Sequence, residues 1–519
     1  MTNSAPQPPA RYNLAADVAS IGPARQAEQV ALTMVHGVAR RHWRWSELWG
    51  RMAAWQTLLE KERLQTGDRI VIFLPNCPDV PALLLAATAI GLVPVVLSPQ
   101  LQPAELAYIT QNCEAALIVC EHPLPALSKH PQLTLASCQG TLDDAMTSGQ
   151  QPRYAQLSAN QPAYMVYTSG TTGSPRGVLH AHRAVWARRM MREGWTGIQA
   201  DDVILHAGQL NWTYAMGLAV FDAWSNGARS VIYEGPRTAQ RWAELIQEEN
   251  ATIFAAVPGV YRQLLRDIPL LQEQTTSLRH ALCAGEALPA SLWEEWTTRL
   301  HKPLYEALGM SECSTYISSG PATPTRPGSP GRPQPGRRVA VLPVEGGDQP
   351  LPQGEEGVLA IHHSDPGLML EYFNDPQATR NAYRGDWFLT GDVVRFDGEG
   401  YLHYCGRSDD TINALGYRVG PTEVEAVLSK HPAVSEVAVT AFQPREGVSL
   451  VCAHLVLREG ERWDEATEAG IRALAGEELA AYKQPRVYHI HDALPRSRSG
   501  KILRRVLRER AKGVDESHA

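Results

Sequence analysis

Between about Trp43 and Leu300, short apolar runs alternate with stretches of helical spacing. Arg69-Ile-Val-Ile-Phe-Leu74, Ala116-Leu-Ile-Val-Cys120, Ser230-Val-Ile-Tyr233 and Thr252-Ile-Phe-Ala-Ala-Val257 read as buried strands, each followed by a Pro- or Gly-marked turn or a helix-like stretch. That rhythm predicts βαβ units, mostly parallel sheets and an α/β fold. The long apolar run Val80 to Leu97 is broken by Pro81, Gly91 and Pro94, which predicts a buried helix, a turn and a core strand rather than a membrane span. From Pro321 to Pro352 prolines cluster around one short strand, Val339 to Leu342, the mark of a β-rich subdomain. After Arg407 the pattern becomes a small α+β unit: helix Thr422 to Ser429, strands Val434 to Thr440 and Ser449 to Leu457, helix Trp463 to Tyr482. Two domains are expected, 1–408 and 409–519, behind a polar, frayed tail from Met1 to Arg11 that carries no secretory leader.

At 519 residues the chain has room for two or three cores, and with 44% hydrophobic and 20% charged residues it reads as a globular enzyme. The formal net charge of −7 leaves no basic excess for a nucleic-acid backbone, so no nucleic-acid partner is expected. Eight scattered cysteines without a Cys-x-x-Cys pair argue against a structural zinc or a disulfide framework and for a reducing cytoplasm.

The most informative segment is Tyr167-Thr-Ser-Gly-Thr-Thr-Gly-Ser-Pro-Arg-Gly177, directly after the apolar Ala163 to Tyr167. Glycines let backbone amides close on a polyphosphate, and Thr168, Ser169, Thr171 and Thr172 add hydroxyls beside Gly170, Gly173 and Arg176. The Walker spacing is absent, which disfavours a generic NTPase. The expected setting is a core strand on one side and a helical segment, Arg183 to Arg192, on the other.

With five further motifs in order, Ala284-Gly-Glu-Ala-Leu288, Leu308-Gly-Met-Ser-Glu312, Thr390-Gly-Asp392, Gly406-Arg-Ser-Asp-Asp410 with Gly416-Tyr-Arg-Val419, and Arg498-Ser-Gly-Lys501, the chain resembles the adenylate-forming enzymes, in particular their acyl-CoA and aryl-CoA synthetases. The resemblance spans about Arg40 to Arg504. It implies a large N-terminal domain and a mobile C-terminal lid, with ATP, Mg²⁺ and coenzyme A as cofactors and co-substrates. Glu312 is then the Mg²⁺ ligand, Asp392 the ribose acceptor, and Arg407 a second ribose or phosphate contact or else a structural ion pair. Thr168 and Lys501 join Glu312 as the catalytic set, Lys501 neutralising charge during adenylation. Gly285, Glu286, Ala287, Leu308, Gly309, Met310 and Ser311 complete the nucleotide site. Asp409 is the hinge, and Gly416 with Tyr417 borders the CoA tunnel.

Leu308 stands where the family usually places an adenine-stacking aromatic, and Arg176 where it usually places lysine. The acyl pocket is expected from Asn211, Trp212, Tyr214, Ala215, Ala284, Ala307 and Gly309, with Trp212, Tyr214 and Met216 as an apolar wall, although their alternation also describes a strand face. Phe221-Asp222 imitates the ammonium-binding motif of amino-acid-activating relatives but lies too close to Gly227, so its carboxylate should face elsewhere. The reading is an ATP-dependent ligase that makes an acyl-AMP and then an acyl-CoA from an aromatic or short-to-medium acid. Its rivals are a stand-alone enzyme loading an acyl carrier protein, none being fused after Lys501, and a non-catalytic nucleotide-binding relative. The resemblance also allows a homodimer and a lysine acetyltransferase acting on Lys501; no membrane insertion is expected.

Overall fold

The structure, a computed structural model, describes residues 7–20, 26–147, 149–168, 175–407, 412–414, 417–445, 448–479, 481, 483–496 and 502–514, with only the backbone at 146–147, 413–414, 417–418, 445, 448–449, 505 and 512–514. The chain divides into two compact units, Met1–Arg338 with His362–Tyr383, and Val339–Ile361 with Arg384–Ala519.

The first unit holds two sheets among the described residues. One runs in the order Glu371–Tyr372, Arg176–Ala181, Pro162–Thr168, Val93–Val96, Arg69–Phe73, Ala115–Cys120 and Gln132–Thr134. Its inner strands are parallel and buried on both faces, which is why they read as continuous apolar runs. The other runs Arg332–Pro333, Ser314–Ser318, Leu304–Met310, His280–Ala284, Ile253–Ala256, Val203–His206, Arg229–Glu234, Val30–His36 and Ala39–Arg44. Here the chain goes from Val203–His206 to one side and returns on the other, so the strand order reverses between Val203–His206 and Ile253–Ala256. In open parallel sheets ligands bind outside the carboxyl ends of strands at such a reversal. Phe254, Tyr261 and Trp296 interlock edge to face in the core against this sheet, with Trp242 tilted against Phe254.

The interrupted run Val80 to Leu97 is the fully buried helix Asp79–Ala89, a turn at Gly91 (φ +87°) and the strand Val93–Val96. Among the described residues no helix is long and apolar enough to cross a membrane. The frayed tail needs correction at its inner end: the Ala10 carbonyl accepts the Ala159 amide, Arg11 bridges Ser158, and helix Leu14–Ala19 begins at an Asn13 cap. In the second unit, strand Val434–Arg445 pairs antiparallel with Val448–Leu457, which pairs parallel with Val487–Ile490; helices Pro421–Leu428 and Glu465–Glu478 pack on them through Val424, Leu428, Ile471 and Ala475.

Candidate active site

Thr168 ends the strand Pro162–Thr168 and lies opposite Arg176 at the start of the antiparallel strand Arg176–Ala181. The two strands thus pair as an antiparallel hairpin; Ser169, Gly170, Thr171, Thr172 and Gly173, expected to hold phosphates, lie outside the described residues. This corrects the expected strand-to-helix setting: the helical segment is present from Arg183, but the six-residue strand Arg176–Ala181 comes before it. Gly177 is required by crowding, since a Cβ there would meet Met165 Sδ at 2.8 Å and the Tyr167 ring at 3.1 Å. Arg176 reaches Asp375 at 3.5 Å and lies 5.7 Å over the ring of Tyr372.

Glu312 sits in the turn between the antiparallel strands Leu304–Met310 and Ser314–Ser318. Gly309 is not in that turn but in the preceding strand, at a bulge next to Leu308, where a Cβ would strike Ser314 O at 2.6 Å. Three contacts fix the turn. His180 donates through Nε2 to the Ser311 carbonyl at 2.8 Å, the Met369 amide donates to the Glu312 carbonyl at 2.7 Å, and the Tyr372 hydroxyl donates to Glu312 Oε1 at 2.7 Å. Burial lowers His180 to about 4, so at neutral pH its ring is uncharged. Glu312 is half-buried, and its Oε2 has no hydrogen-bond or ion-pair partner among the described residues. A small hard cation that keeps phosphate oxygens and waters needs one or two carboxylates from the protein, and this oriented, unneutralised carboxylate fits that need. Leu308, Met310 and Ser311 are half-buried beside it.

Ala284 ends the strand His280–Ala284 in register with Ala307 of the neighbouring strand, which brings two expected pocket residues together. Gly285 follows at φ +95°, then Glu286 and Ala287. Beneath them the buried Glu306 accepts the Leu288 amide through Oε1 at 2.8 Å, and burial raises its pKa to about 7. Trp212 caps the helix Thr213–Met216, which continues as a π-turn Gly217–Asp222, so the i, i+2, i+4 alternation belongs to a helix and not to a strand face. Trp212 and Asn211 are half-buried, and Ala215 is fully buried. Tyr214 packs edge-on against His206 with centroids 4.3 Å apart and donates to the Leu282 carbonyl at 3.0 Å. Asp222 is buried and paired. Its carboxylate takes Arg188 bidentately at 2.6 and 2.7 Å in a buried pair, and Arg188 also donates to Ser314 Oγ. A cavity of about 10 Å³, room for one water, lies between Arg188, His180, Thr213 and Ser311.

In the second unit Asp392 lies on strand Trp387–Phe396, opposite Arg407 of strand Leu402–Arg407. Arg407 Nη1 donates to Asp392 Oδ1 at 3.1 Å and to the Thr390 carbonyl at 3.0 Å, while Thr390 Oγ1 accepts the Asp392 amide. Gly391, at φ +77°, leaves room for this guanidinium, which would lie 2.7 Å from a Cβ. Lys501, Asp409 and Gly416 lie outside the described residues, and Tyr417 begins the short strand Tyr417–Val419. Sequence reasoning misses Tyr372, His180 and Glu306. Their partners are from 18 to 131 residues away, and the one local hint is the aromatic doublet Tyr372-Phe373 before a helix capped by Asp375.

The AMP-binding enzyme model matches residues 22–373, and the AMP-binding enzyme C-terminal domain model matches residues 423–501. The chain belongs to the AMP-binding enzyme family. It is 29% identical to an uncharacterized acyl–CoA ligase of Bacillus subtilis (strain 168), over 97% of this chain and 96% of that one. To benzoate–CoA ligase of Thauera aromatica it is 30% identical, over 86% of each chain. An anthranilate CoA ligase solved in complex with anthranoyl-AMP shares the fold with a TM-score of 0.85 and 26% identity, covering 98% of this chain and 99% of that one.

Proposed function

We propose that this acid–thiol ligase activates an aromatic or short-to-medium-chain carboxylic acid. The observation that supports this choice is the fate of Asp222: bound bidentately by buried Arg188, its carboxylate is committed and offers nothing to a substrate ammonium. The half-buried Trp212 and the Tyr214 edge then supply an apolar, aromatic wall beside Asn211, Ala215, Ala284, Ala307 and Gly309. The benzoate-, anthranilate- and acyl-directed relatives agree with such a pocket.

In the reading we adopt, a carboxylate oxygen attacks the α-phosphorus of ATP and pyrophosphate leaves. The CoA thiol then loses its proton, attacks the acyl carbon and expels AMP. Thr168 to Gly173 and Arg176 hold the phosphates, and Lys501 offsets charge gathering at the α-phosphate. Gly285 to Ala287, Leu308, Met310 and Ser311 flank the base, and Asp392 with Arg407 receives the ribose. Glu312 would hold Mg²⁺, whose chemistry is to balance phosphate charge. We place the hinge at Asp409 and the domain boundary at 408/409, a reading supported by the stretch that separates the two family models. Gly416 and Tyr417 border the CoA path. Eight free cysteines support a reducing cytoplasm. A homodimer and acetylation of Lys501 by a lysine acetyltransferase rest on the resemblance alone.

Pyrophosphate release over aromatic, linear, branched and amino acids, followed by CoA or holo-carrier as acceptor, tests the reading. A preference for amino acids would overturn it. Trp212→Ala should lower kcat/KM for the best small acid and raise it for bulkier ones, changing the ratio about tenfold, with ATP affinity unchanged. Uniform loss on every acid would make Trp212 plain packing.

A further inference from the structure

We propose that Tyr372 is a positioning residue for Glu312 and that the segment Met369 to Phe373 straps the turn carrying Glu312 to the strand leaving the phosphate loop. The inference rests on the reading of Glu312 as a metal ligand and adds a second residue to it. The strap grips at both ends. Toward Glu312 it uses the Met369 amide on the backbone carbonyl and the Tyr372 hydroxyl on Oε1, each at 2.7 Å. Toward the phosphate loop, Glu371 and Tyr372 pair with Leu179 and Val178 of strand Arg176–Ala181, and the Leu370 and Phe373 amides donate to the Leu179 and Gly177 carbonyls, both at 2.7 Å. Arg176, the first residue of that strand, lies over the Tyr372 ring. One tyrosine thus touches the acid assigned to the cation and the base assigned to the phosphates.

The choice of a phenol matters. A carboxylate on a long side chain has rotamer freedom to lose before it meets a cation, and a fixed donor on Oε1 removes that freedom in advance. Because the donor is neutral, it orients the group without cancelling the charge the cation needs. Lysine or arginine in the same place would compete with the metal.

The test measures ATP binding to the full chain by calorimetry, without acid, in excess Mg²⁺ and again in EDTA. The ratio of the two dissociation constants is the metal's contribution. Tyr372→Phe, which keeps the ring under Arg176, should shrink that ratio about tenfold, the scale of a hydrogen bond to a charged group, and leave ATP binding in EDTA unchanged. Glu312→Gln should remove most of the ratio, and adding Tyr372→Phe to it should change nothing more. Tyr372→His, which restores a ring N–H, should recover part of the loss and stands in if Tyr372→Phe does not fold. A wild-type ratio in Tyr372→Phe with a reduced one in Glu312→Gln overturns the positioning role alone. A wild-type ratio in Glu312→Gln overturns the metal-ligand reading beneath it. Additive losses in the double variant would show that Tyr372 acts elsewhere and overturn the proposal.

Discussion

Glu312 in the first unit and Asp392 in the second are both acids for which we propose a role toward ATP, yet the fold surrounds them in opposite ways. Glu312 is half-buried and its carboxylate meets a neutral phenol. Asp392 is buried and faces a guanidinium across an antiparallel ladder. A neutral donor orients a carboxylate and leaves its charge in place, whereas a guanidinium cancels the charge and leaves oxygens in fixed positions. Those are the different needs of a cation ligand and of an acceptor for sugar hydroxyls. Two other acids extend the comparison: Asp222 is fully paired in the interior, and Glu306 is held by a single backbone amide.

The largest effect should come from the buried Arg188–Asp222 pair. Arg188→Ala leaves Asp222 buried without its counter-charge, and denaturant unfolding should show a loss of about 3–5 kcal/mol. A loss below about 1 kcal/mol, the value of an exposed pair, would break the distinction between interior and site carboxylates.

Glu306 sharpens the comparison through pH. Burial raises its pKa from 4.5 to about 7, so the folded chain holds this proton more tightly than the unfolded chain does. Its stabilising contribution is complete below pH 4.5 and is lost as pH rises toward 7. Glu306→Gln keeps an acceptor for the Leu288 amide and removes the titration. Relative to wild type, the variant should gain about 3 kcal/mol between acid and mildly alkaline pH, read from denaturant midpoints. A pH-independent difference would show that Glu306 does not titrate in this range.

The smallest effect is expected at Arg407, which is partly exposed. Arg407→Ala should raise the KM for ATP about tenfold, worth about 1.4 kcal/mol, and lower the thermal midpoint less than Arg188→Ala does, because the Arg407 side of its pair is open to solvent. A large stability loss with unchanged KM would make Arg407 a structural partner only.

Local and periodic features were legible in the chain. The strand Arg69–Phe73, the broken run ending in Val93–Val96 and the helices Pro421–Leu428 and Glu465–Glu478 each carry a pattern that one segment can reveal. The hairpin Val30–His36 with Ala39–Arg44 was not legible, because buried Thr33 interrupts the first strand and the second reads as a basic surface run. Strand Arg176–Ala181 hides behind its glycine and histidine. In the candidate site, Glu312 and Asp392 stand out by motif, but Tyr372 meets Glu312 through a side-chain contact 60 residues apart and Arg407 meets Asp392 through strand pairing, neither of which local spacing encodes.

The ladder joining Pro162–Thr168, Arg176–Ala181 and Glu371–Tyr372 also acts as a ruler. Strand residues advance by roughly 3.3 Å and alternate in face, so a one-residue slip would turn Tyr372 away from Glu312 instead of moving it slightly. The position of Tyr372 along strand Arg176–Ala181 can therefore change, with its face kept, only in two-residue graduations of roughly 6.6 Å. Gradual drift in the strands cannot carry Tyr372 to an intermediate setting against Glu312. Such a change has to be made outside the ladder, while the sheet keeps its divisions.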